Sequence, residues 1–271
     1  PLAGQTFREL VIEDGSTPEA WVPAECEITS SDVHAREGTS VLFHVPVDHF
    51  AGEIKYPIGW PRMYLPFAEG ARDWSGFDFL SLWIYADTSR DKLPSTPVGM
   101  IIRCPDRNTQ LGRTLTDVTK GQWLHVVTPI SALPDATNCA AIQFYISESN
   151  YQDGDTVDFY VDEVKLLAYA EPTILELTPL TGLMYADATS LRVQIQVAGL
   201  ADGDVAEVTC ALKRDGKTLA EESLAVTRGL QSLLMTLGSA RLTPGECTLE
   251  ATIEGGQTTT QTIRIVASPW E

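Results

Sequence analysis

Long hydrophobic runs are absent from this chain of 271 residues. No apolar stretch approaches the roughly 18–20 residues that span a bilayer, so we expect no membrane insertion. Helical periodicity is also scarce, because most segments alternate over a few residues and end at a turn signal. The chain begins at Pro1 without a basic and apolar leader, as expected for a mature or trimmed protein.

Basic residues are few relative to acidic residues. Nineteen Lys and Arg residues stand against 37 Asp and Glu, which gives a net charge of −18 and a pI of about 4.5. Such a field repels phosphate backbones and anionic membrane surfaces, so nucleic acid is excluded as an expected partner. Neutral ligands and divalent cations remain compatible with it.

Cysteine and histidine are too few and too scattered for a zinc site. The chain has five Cys, none in a CxxC pair, and four His. Cys210 and Cys247 both lie on the apolar side of predicted strands. A disulfide between them and a pair of buried free thiols are both left open, and the compartment is not decided by them.

Local catalytic signatures are missing. The sequence has no GxSxG elbow, no HExxH, no P-loop and no Gly-rich dinucleotide turn. Paired carboxylates for glycoside hydrolysis leave little local trace, so a lyase or hydrolase remains an alternative. We expect a protein that is not an enzyme.

Short strands fill the first two thirds of the chain. About eight or nine strands precede residue 168, and no helix is long enough for a parallel crossover unit. This pattern predicts an all-β fold, with an antiparallel jelly-roll sandwich over residues 1–168. The strands are expected at 10–12, 40–47, 53–65, 79–85, 95–103, 123–129, 141–147 and 157–167.

The amino-acid composition changes after a break in the strand pattern at residues 168–173. Residues 169–271 are rich in Thr, Ala, Leu and Val and suggest roughly seven short strands. Such a spacing is typical of an immunoglobulin-like or fibronectin-like β-sandwich. Turns are expected at 214–217 and 254–257.

One strand combines a core face with an aromatic face. Leu80, Leu82 and Ile84 alternate with Trp83 and Tyr85, and the first set suits a sandwich core. The second set suits a sugar ring, whose C–H faces are apolar and whose edge is hydroxyl. The alternative is that Trp83 and Tyr85 pack beneath a covering loop.

Other strands carry polar and aromatic residues of matching parity. If they are adjacent, their second face forms a groove in which rings stack on sugars and polar groups bind hydroxyls. His125 and Trp123 are left out of this groove, Trp123 as an expected core residue. The predicted ligand-binding residues are Trp60, Arg62, Tyr64, Trp83, Arg103, Gln143, Tyr145 and Ser147.

Acidic residues at three turns or strand ends suggest a metal site. In a jelly roll the first and last strands are neighbours, which could bring Glu13 and Asp162 to the carbonyl groups of the Glu37–Thr39 turn. Carboxylates and backbone oxygens suit Ca²⁺. The alternative is a set of solvent-facing acidic turns.

Five sequence blocks, in this order, resemble one known family. They are Ile12–Gly15, Arg36–Val41, Asp73–Tyr85, Gly121–Val126 and Phe159–Val164. Together they resemble the β-jelly-roll carbohydrate-binding modules with a galactose-binding-like fold that are attached to bacterial polysaccharide-degrading enzymes. The resemblance covers about residues 5–168, and the C-terminal domain resembles the immunoglobulin-like spacers of such enzymes.

The resemblance implies a structural calcium at Glu13, at the turn from Glu37 to Thr39 and at Asp162. It also implies a glycan site on the concave face. In xylan-binding relatives the strand before the last carries an aromatic residue and, two positions later, a carboxylate. Tyr145 fills the first place, but Ser147 replaces the acid, which argues against xylan.

We therefore predict non-catalytic polysaccharide or oligosaccharide binding by the N-terminal domain, with the C-terminal domain as a spacer. The chain would belong to a larger secreted or cell-surface bacterial carbohydrate-active protein, and the sequence leaves open whether a catalytic domain is attached to it. The rival hypothesis is a structural protein, in which the jelly roll packs on a neighbouring glycoside hydrolase domain and binds no free glycan.

Overall fold

The computed structural model describes residues 5–52, 58–105, 109–201, 203–238 and 242–269. Contacts divide the chain into two compact units, one of residues 9–167 and one that joins residues 168–269 to residues 5–8. Across the described ranges the regular structure is β-strand apart from short 3₁₀ turns, so the predicted all-β class is confirmed. Nothing helical in those ranges has the length and hydropathy of a membrane span.

Two sheets form the first unit. One has the strand order β3-β4-β11-β6-β9, with β1 also paired to β11, and the other has the order β2-β5-β10-β7-β8. The first and last strands are therefore neighbours, as predicted. The strands are β1 (Phe7–Glu13), β2 (Val22–Ala24), β3 (Glu27–Ser31), β4 (Ser40–Pro46), β5 (Arg62–Pro66), β6 (Phe79–Thr88), β7 (Gly99–Arg103), β8 (Leu111–Thr114), β9 (Trp123–Pro129), β10 (Ala141–Tyr145) and β11 (Thr156–Tyr169).

Alternation along the strands builds the core between these sheets. Leu80, Leu82 and Ile84 on β6 are at most 1% exposed, as predicted, and they belong to one cluster with Ile142 and Phe144 on β10. Because side chains alternate across a strand, the same pattern turns the residues between them outward. Short 3₁₀ turns at Pro18–Ala20, Glu69–Ala71, Ile130–Ala132 and Glu148–Asn150 connect the strands.

The sequence missed the short strands of this unit. β2, β3 and β8 have three to five residues and only sparse apolar side chains, so they give almost no periodic signal. The expected strand at 53–65 is observed only from Arg62 onward, and residues 53–57 lie outside the described residues.

The second unit is also a sandwich of two sheets. Their orders are β12-β14-β17 and β13-β19-β18-β15-β16, and β13 pairs with β19 in parallel. The strands are β12 (Thr173–Pro179), β13 (Leu183–Tyr185), β14 (Ser190–Ala198), β15 (Ala206–Arg214), β16 (Lys217–Val226), β17 (Gly229–Thr236), β18 (Gly245–Ile253) and β19 (Thr258–Val266).

The predicted turn between β15 and β16 is a two-residue hairpin. Arg214 pairs with Lys217, and Asp215 and Gly216 both have positive φ, at 48° and 76°. Asp-Gly favours this conformation because glycine has no β-carbon and aspartate tolerates the left-handed region. The strand that follows, β16, was missed because its exposed edge is mostly polar.

Cys210 and Cys247 are buried free thiols. Cys210 pairs with Ala251 of β18, which is four residues from Cys247 on the same strand. Four residues of a strand span about 13 Å, whereas a disulfide needs Cα atoms within about 7 Å. Of the two alternatives left open by the sequence, the register supports the buried thiols.

Candidate functional site

Six outward side chains from three neighbouring strands form one patch on the second sheet of the first unit. In the register, Tyr145 is opposite Arg62 and Gly99, and Gln143 is opposite Tyr64 and Ile101. Ala141 is opposite Arg103. We call this patch the central face, and it comprises Arg62, Tyr64, Ile101, Arg103, Gln143 and Tyr145. Five of these six residues were predicted from their parity.

Tyr145 lies flat across the central face. A β-carbon placed on Gly99 would come within 2.2 Å of Cζ and 2.6 Å of Oη of Tyr145, so the ring rests on the bare backbone of Gly99. Only glycine leaves room for the ring there. The ring is half-buried, which presents an apolar surface together with a hydroxyl.

Trp60 extends the central face past the N-terminal end of β5, two residues before Arg62. Its ring centroid is 5.2 Å from that of Tyr145, at an interplanar angle of 60°. The guanidinium of Arg62 lies 5.0 Å from the Trp60 centroid and donates to the Trp60 carbonyl at 3.2 Å. With 38% of its surface exposed, Trp60 offers an aromatic plane to solvent.

Ser147 lies beyond the end of β10, at the start of a 3₁₀ turn. Its Oγ is 2.7 Å from Oγ of Ser149. Ser147, which replaces the carboxylate of the xylan-binding pattern, therefore has a hydroxyl that is already hydrogen-bonded to a neighbouring serine.

Arg103 and Gln143 carry two buried donors without acceptors. Nη2 of Arg103 donates to Oε1 of Gln143. Nε of Arg103 and Nε2 of Gln143 have no hydrogen-bond partner among the described residues, although Gln143 is only 1% exposed. Because an unpaired buried donor costs about 1–3 kcal/mol, these two nitrogens call for an acceptor such as a water molecule or a bound ligand.

Two carboxylates hold the segment that carries Trp60. Oε2 of Glu148 accepts from the Gly59 amide at 2.8 Å, and Oε2 of Glu25 accepts from the Trp60 amide at 2.6 Å. Glu148 is 4% exposed and also accepts from the Asp48 amide at 3.2 Å. A cavity of about 590 Å³ beside them is lined by these acids and Asp153, among others.

Trp83 is not part of the central face. The prediction that its strand lies beside those of Arg103 and Gln143 is wrong, because β6 belongs to the other sheet, between β11 and β9. Outward residues of the two sheets point in opposite directions, since the core lies between them. Trp83 therefore faces away from Tyr145.

A loop covers the outer face around Trp83 and Tyr85, as in the alternative that the sequence left open. The Arg36 guanidinium lies 3.9 Å from the Trp83 ring centroid, and the His34 ring stacks on Tyr85 at 4.1 Å. The His125 ring also stacks on Trp83, with 4.4 Å between the ring centroids. Trp123, expected in the core, is half-buried and lies 5.5 Å from Tyr85 on the same outer face.

Glu13, one of the predicted calcium ligands, is buried and already bonded. Its carboxylate accepts from the Gly15 amide at 2.8 Å, the Thr17 hydroxyl at 2.7 Å and Nε1 of Trp21 at 3.2 Å. The Thr17 amide is a fourth donor at 3.4 Å. These contacts occupy the roughly four acceptor positions of a carboxylate.

Asp162 lies at an irregular point of β11. The register shifts just after it, and Glu163 has a φ of 49°, in a region that non-glycine residues rarely adopt. The carboxylate accepts from the amides of Arg36 at 2.7 Å and Glu163 at 2.7 Å, with Glu37 at 3.5 Å. Burial raises the pKa of Asp162 above its ordinary value, and these hydrogen bonds offset part of the increase.

The turn at Glu37–Thr39 meets the end of β1. A β-carbon on Gly15 would lie 2.0 Å from the Thr39 carbonyl oxygen, while the Glu37 side chain is exposed. In chemical type, Asp162 and the carbonyls of this turn fit a hard cation, whereas Glu13 is saturated by protein donors. The described residues hold no cluster of three or more His, Cys, Asp or Glu suited to a metal ion.

Three residues that shape the site were missed by sequence reasoning. Gly99 offers no side chain to a parity pattern, and Glu25 and Glu148 act on the backbone of a segment distant in sequence. The one sequence feature that could have indicated a fixed loop here is the Gly-Trp pair at 59–60, which lies between the prolines at 57 and 61.

The chain matches no protein-family profile and no curated protein. Among solved structures it is similar to a β-1,2-glucanase from Parabacteroides distasonis, with 15% identity, a TM-score of 0.40, and coverage of 96% of this chain but 36% of that one. A Caldicellulosiruptor saccharolyticus CBM27-1 in complex with mannohexaose has 15% identity and a TM-score of 0.38, covering 59% of this chain and 97% of that one. A structure titled "CBM4 structure and function" has 14% identity and a TM-score of 0.30, over 55% and 94% respectively. At these values the likenesses establish no activity or ligand.

Proposed function

We propose that the first unit binds a polysaccharide or oligosaccharide on its central face and performs no catalysis. The observation that carries this proposal is the arrangement of Tyr145, Trp60 and Gly99. A half-exposed phenol lies flat on bare backbone, 5.2 Å from an exposed indole. Adjacent aromatic planes with a few placed polar groups match the apolar faces and hydroxyl edge of a sugar.

The donors on the same face support the proposal. Arg103 and Gln143 each keep a buried nitrogen without an acceptor among the described residues. Sugar hydroxyls and ring oxygens are acceptors, so a bound glycan would satisfy nitrogens that are otherwise unpaired.

The second unit would act as an immunoglobulin-like spacer. Its three-stranded and five-stranded sheets and its parallel β13–β19 pair support that assignment. The chain would then be an accessory region of a larger secreted or cell-surface bacterial protein with a catalytic domain. In the rival proposal, the central face packs on that catalytic domain and binds no free glycan.

We also propose a structural calcium ion at the Asp162 end of β11. Asp162 and the backbone carbonyls at Glu37 and Thr39 would hold it, with Glu13 fixing the Gly15 turn against them. The test is thermal unfolding of the full chain in calcium and in EDTA, beside Asp162→Asn. Stabilisation by calcium that the variant lacks would support the site, and equal melting temperatures would refute it.

Affinity electrophoresis of the full chain against a panel of soluble neutral and acidic polysaccharides tests the main proposal. We expect selective retardation by at least one glycan, reduced about tenfold or more in affinity by Trp60→Ala or Tyr145→Ala. A matched control is Tyr185→Ala, an exposed aromatic residue of the second unit. Absence of retardation on every glycan would leave the packing role as the better explanation.

A further inference from the structure

The charge on the central face points to a particular class of glycan. The first unit is part of a chain with net charge −18, yet two of the outward residues on this face are arginines. No described carboxylate lies within ion-pair distance of Arg62 or Arg103, whereas Arg36 and Arg90 pair with Glu163 and Asp155.

Arg103, unlike Arg62, has a buried donor nitrogen without a hydrogen-bond partner among the described residues. Arg103 is half-buried, this unpartnered nitrogen is its Nε, and its Nη2 donates to the neutral amide of Gln143. A partly buried charge with no counter-ion among the described residues is less stable than a paired one, and a water molecule would satisfy the donor but leave the charge uncompensated. An anionic acceptor would supply both the hydrogen bond and the counter-charge.

The two unpaired nitrogens belong to side chains that are hydrogen-bonded to each other. Because Oε1 of Gln143 is taken by Arg103, Nε2 of Gln143 and Nε of Arg103 are the donors that remain. Gln143 forms the floor between Tyr64, Tyr145 and Arg103, which are larger and half-exposed.

We infer that the glycan bound at the central face carries an acidic sugar whose carboxylate is held by Nε of Arg103 and Nε2 of Gln143. The inference rests on the proposed glycan-binding function. A carboxylate has two oxygens for two donors, and charge-assisted hydrogen bonds are roughly twice as strong as neutral ones. Trp60 and Tyr145 would stack on the sugar rings along the same chain.

The overall charge sharpens this inference. A net charge of −18 opposes polyanions at long range, so general attraction cannot account for the binding of an acidic polymer. At about 0.15 M salt the Debye length is about 8 Å, which screens the distant acids but leaves a buried contact largely intact.

The test compares three polyuronates, polygalacturonate, polyglucuronate and polymannuronate, each with its carboxyl-reduced polymer, on the full chain at about 0.15 M salt. We expect at least one polyuronate to bind about tenfold or more tightly than its reduced counterpart. Arg103→Met and Arg103→Lys should lose that preference, because lysine keeps the charge without an Nε donor. Arg192→Met, which removes the same charge from the second unit, is the matched control and should keep it.

Gln143→Glu provides a second, independent test. A carboxylate at 143 would give Arg103 an internal counter-ion, so the preference for the acidic polymer should disappear while the melting temperature is preserved. Equal binding of each polyuronate and its reduced form would overturn the inference and leave glycan binding intact. Acid-selective binding that survives Arg103→Met would overturn it too. Absence of binding to any glycan, neutral or acidic, would instead remove the proposed function on which it rests.

Discussion

The ring of Tyr145 occupies the space in which a side chain at Gly99 would begin. A β-carbon there would be 2.2 Å from Cζ of Tyr145. Gly99 is on β7 and Tyr145 is on β10, directly opposite in the register. The orientation of an aromatic ring on one strand is thus fixed by the absence of a side chain on its neighbour.

Gly99→Ala should therefore weaken glycan binding through Tyr145. The methyl group would lift the ring from the sheet, since a contact below 3.0 Å cannot persist. We expect about a tenfold loss of affinity and a destabilisation of about 1–2 kcal/mol. Isothermal titration and urea unfolding measure the two effects, and Gly112→Ala, with open space around its β-carbon, is the control. Unchanged affinity in Gly99→Ala would contradict this role of Tyr145.

Trp60→Ala and Trp83→Ala should separate binding from stability. Trp60 is exposed at the edge of the central face, so its removal should reduce glycan affinity and change stability by no more than about 0.5 kcal/mol. Trp83 lies between Arg36 and His125 on the opposite sheet, and its loss should cost about 1–3 kcal/mol. Chemical unfolding and affinity electrophoresis of both variants distinguish the two roles. Loss of binding in a stable Trp83→Ala protein would place the glycan on the other sheet.

Acidification should lower the stability of the folded first unit, because His125 must then take up a proton. Burial, with a contribution from the charge of Arg36, lowers the pKa of His125 below its ordinary 6.5. The unfolded chain then binds more protons in the window just below pH 6.5, so stability falls as the pH falls through it. Melting temperatures across about pH 5.5–7.5 should decline less steeply on the acid side in His125→Gln than in the parent. Parallel profiles would show that another group is responsible.

Oxidation should join Cys104 to Cys139 and leave Cys210 and Cys247 as thiols. The Sγ atoms of Cys104 and Cys139 lie 3.4 and 3.6 Å from the same carbonyl oxygen, that of Asp135. Oxidised glutathione would accept the two electrons and leave as two reduced molecules. The reaction should be slow, because burial raises the pKa of Cys139 to about 12. Peptide mapping identifies the bridge, Cys139→Ser is the control, and a Cys210–Cys247 peptide would contradict the register.

Much of the central face could be predicted from parity alone. Gln143 and Tyr145 alternate with the core residues Ile142 and Phe144, so a strand in this segment had to turn them outward. Which strand lies beside which is a property of the whole fold, and parity carries no information about it. For that reason Trp83 had the right parity for an outer face but was assigned to the wrong sheet. Gly99 and Glu148 could not be predicted, since one acts by lacking a side chain and the other by bonding to a distant backbone.

The loop bearing His34 and Arg36 also sets how many ligands this unit could engage at once. By occupying the aromatic surface around Tyr85 and Trp83, the loop would leave the central face as the one proposed glycan-binding side among the described residues of the first unit. With one such side, the unit would be monovalent and would not cross-link two polymer chains. Tight attachment to a polysaccharide surface would then require avidity from further binding modules on the same polypeptide. The linkers between those modules would set the effective concentration of the second binding event.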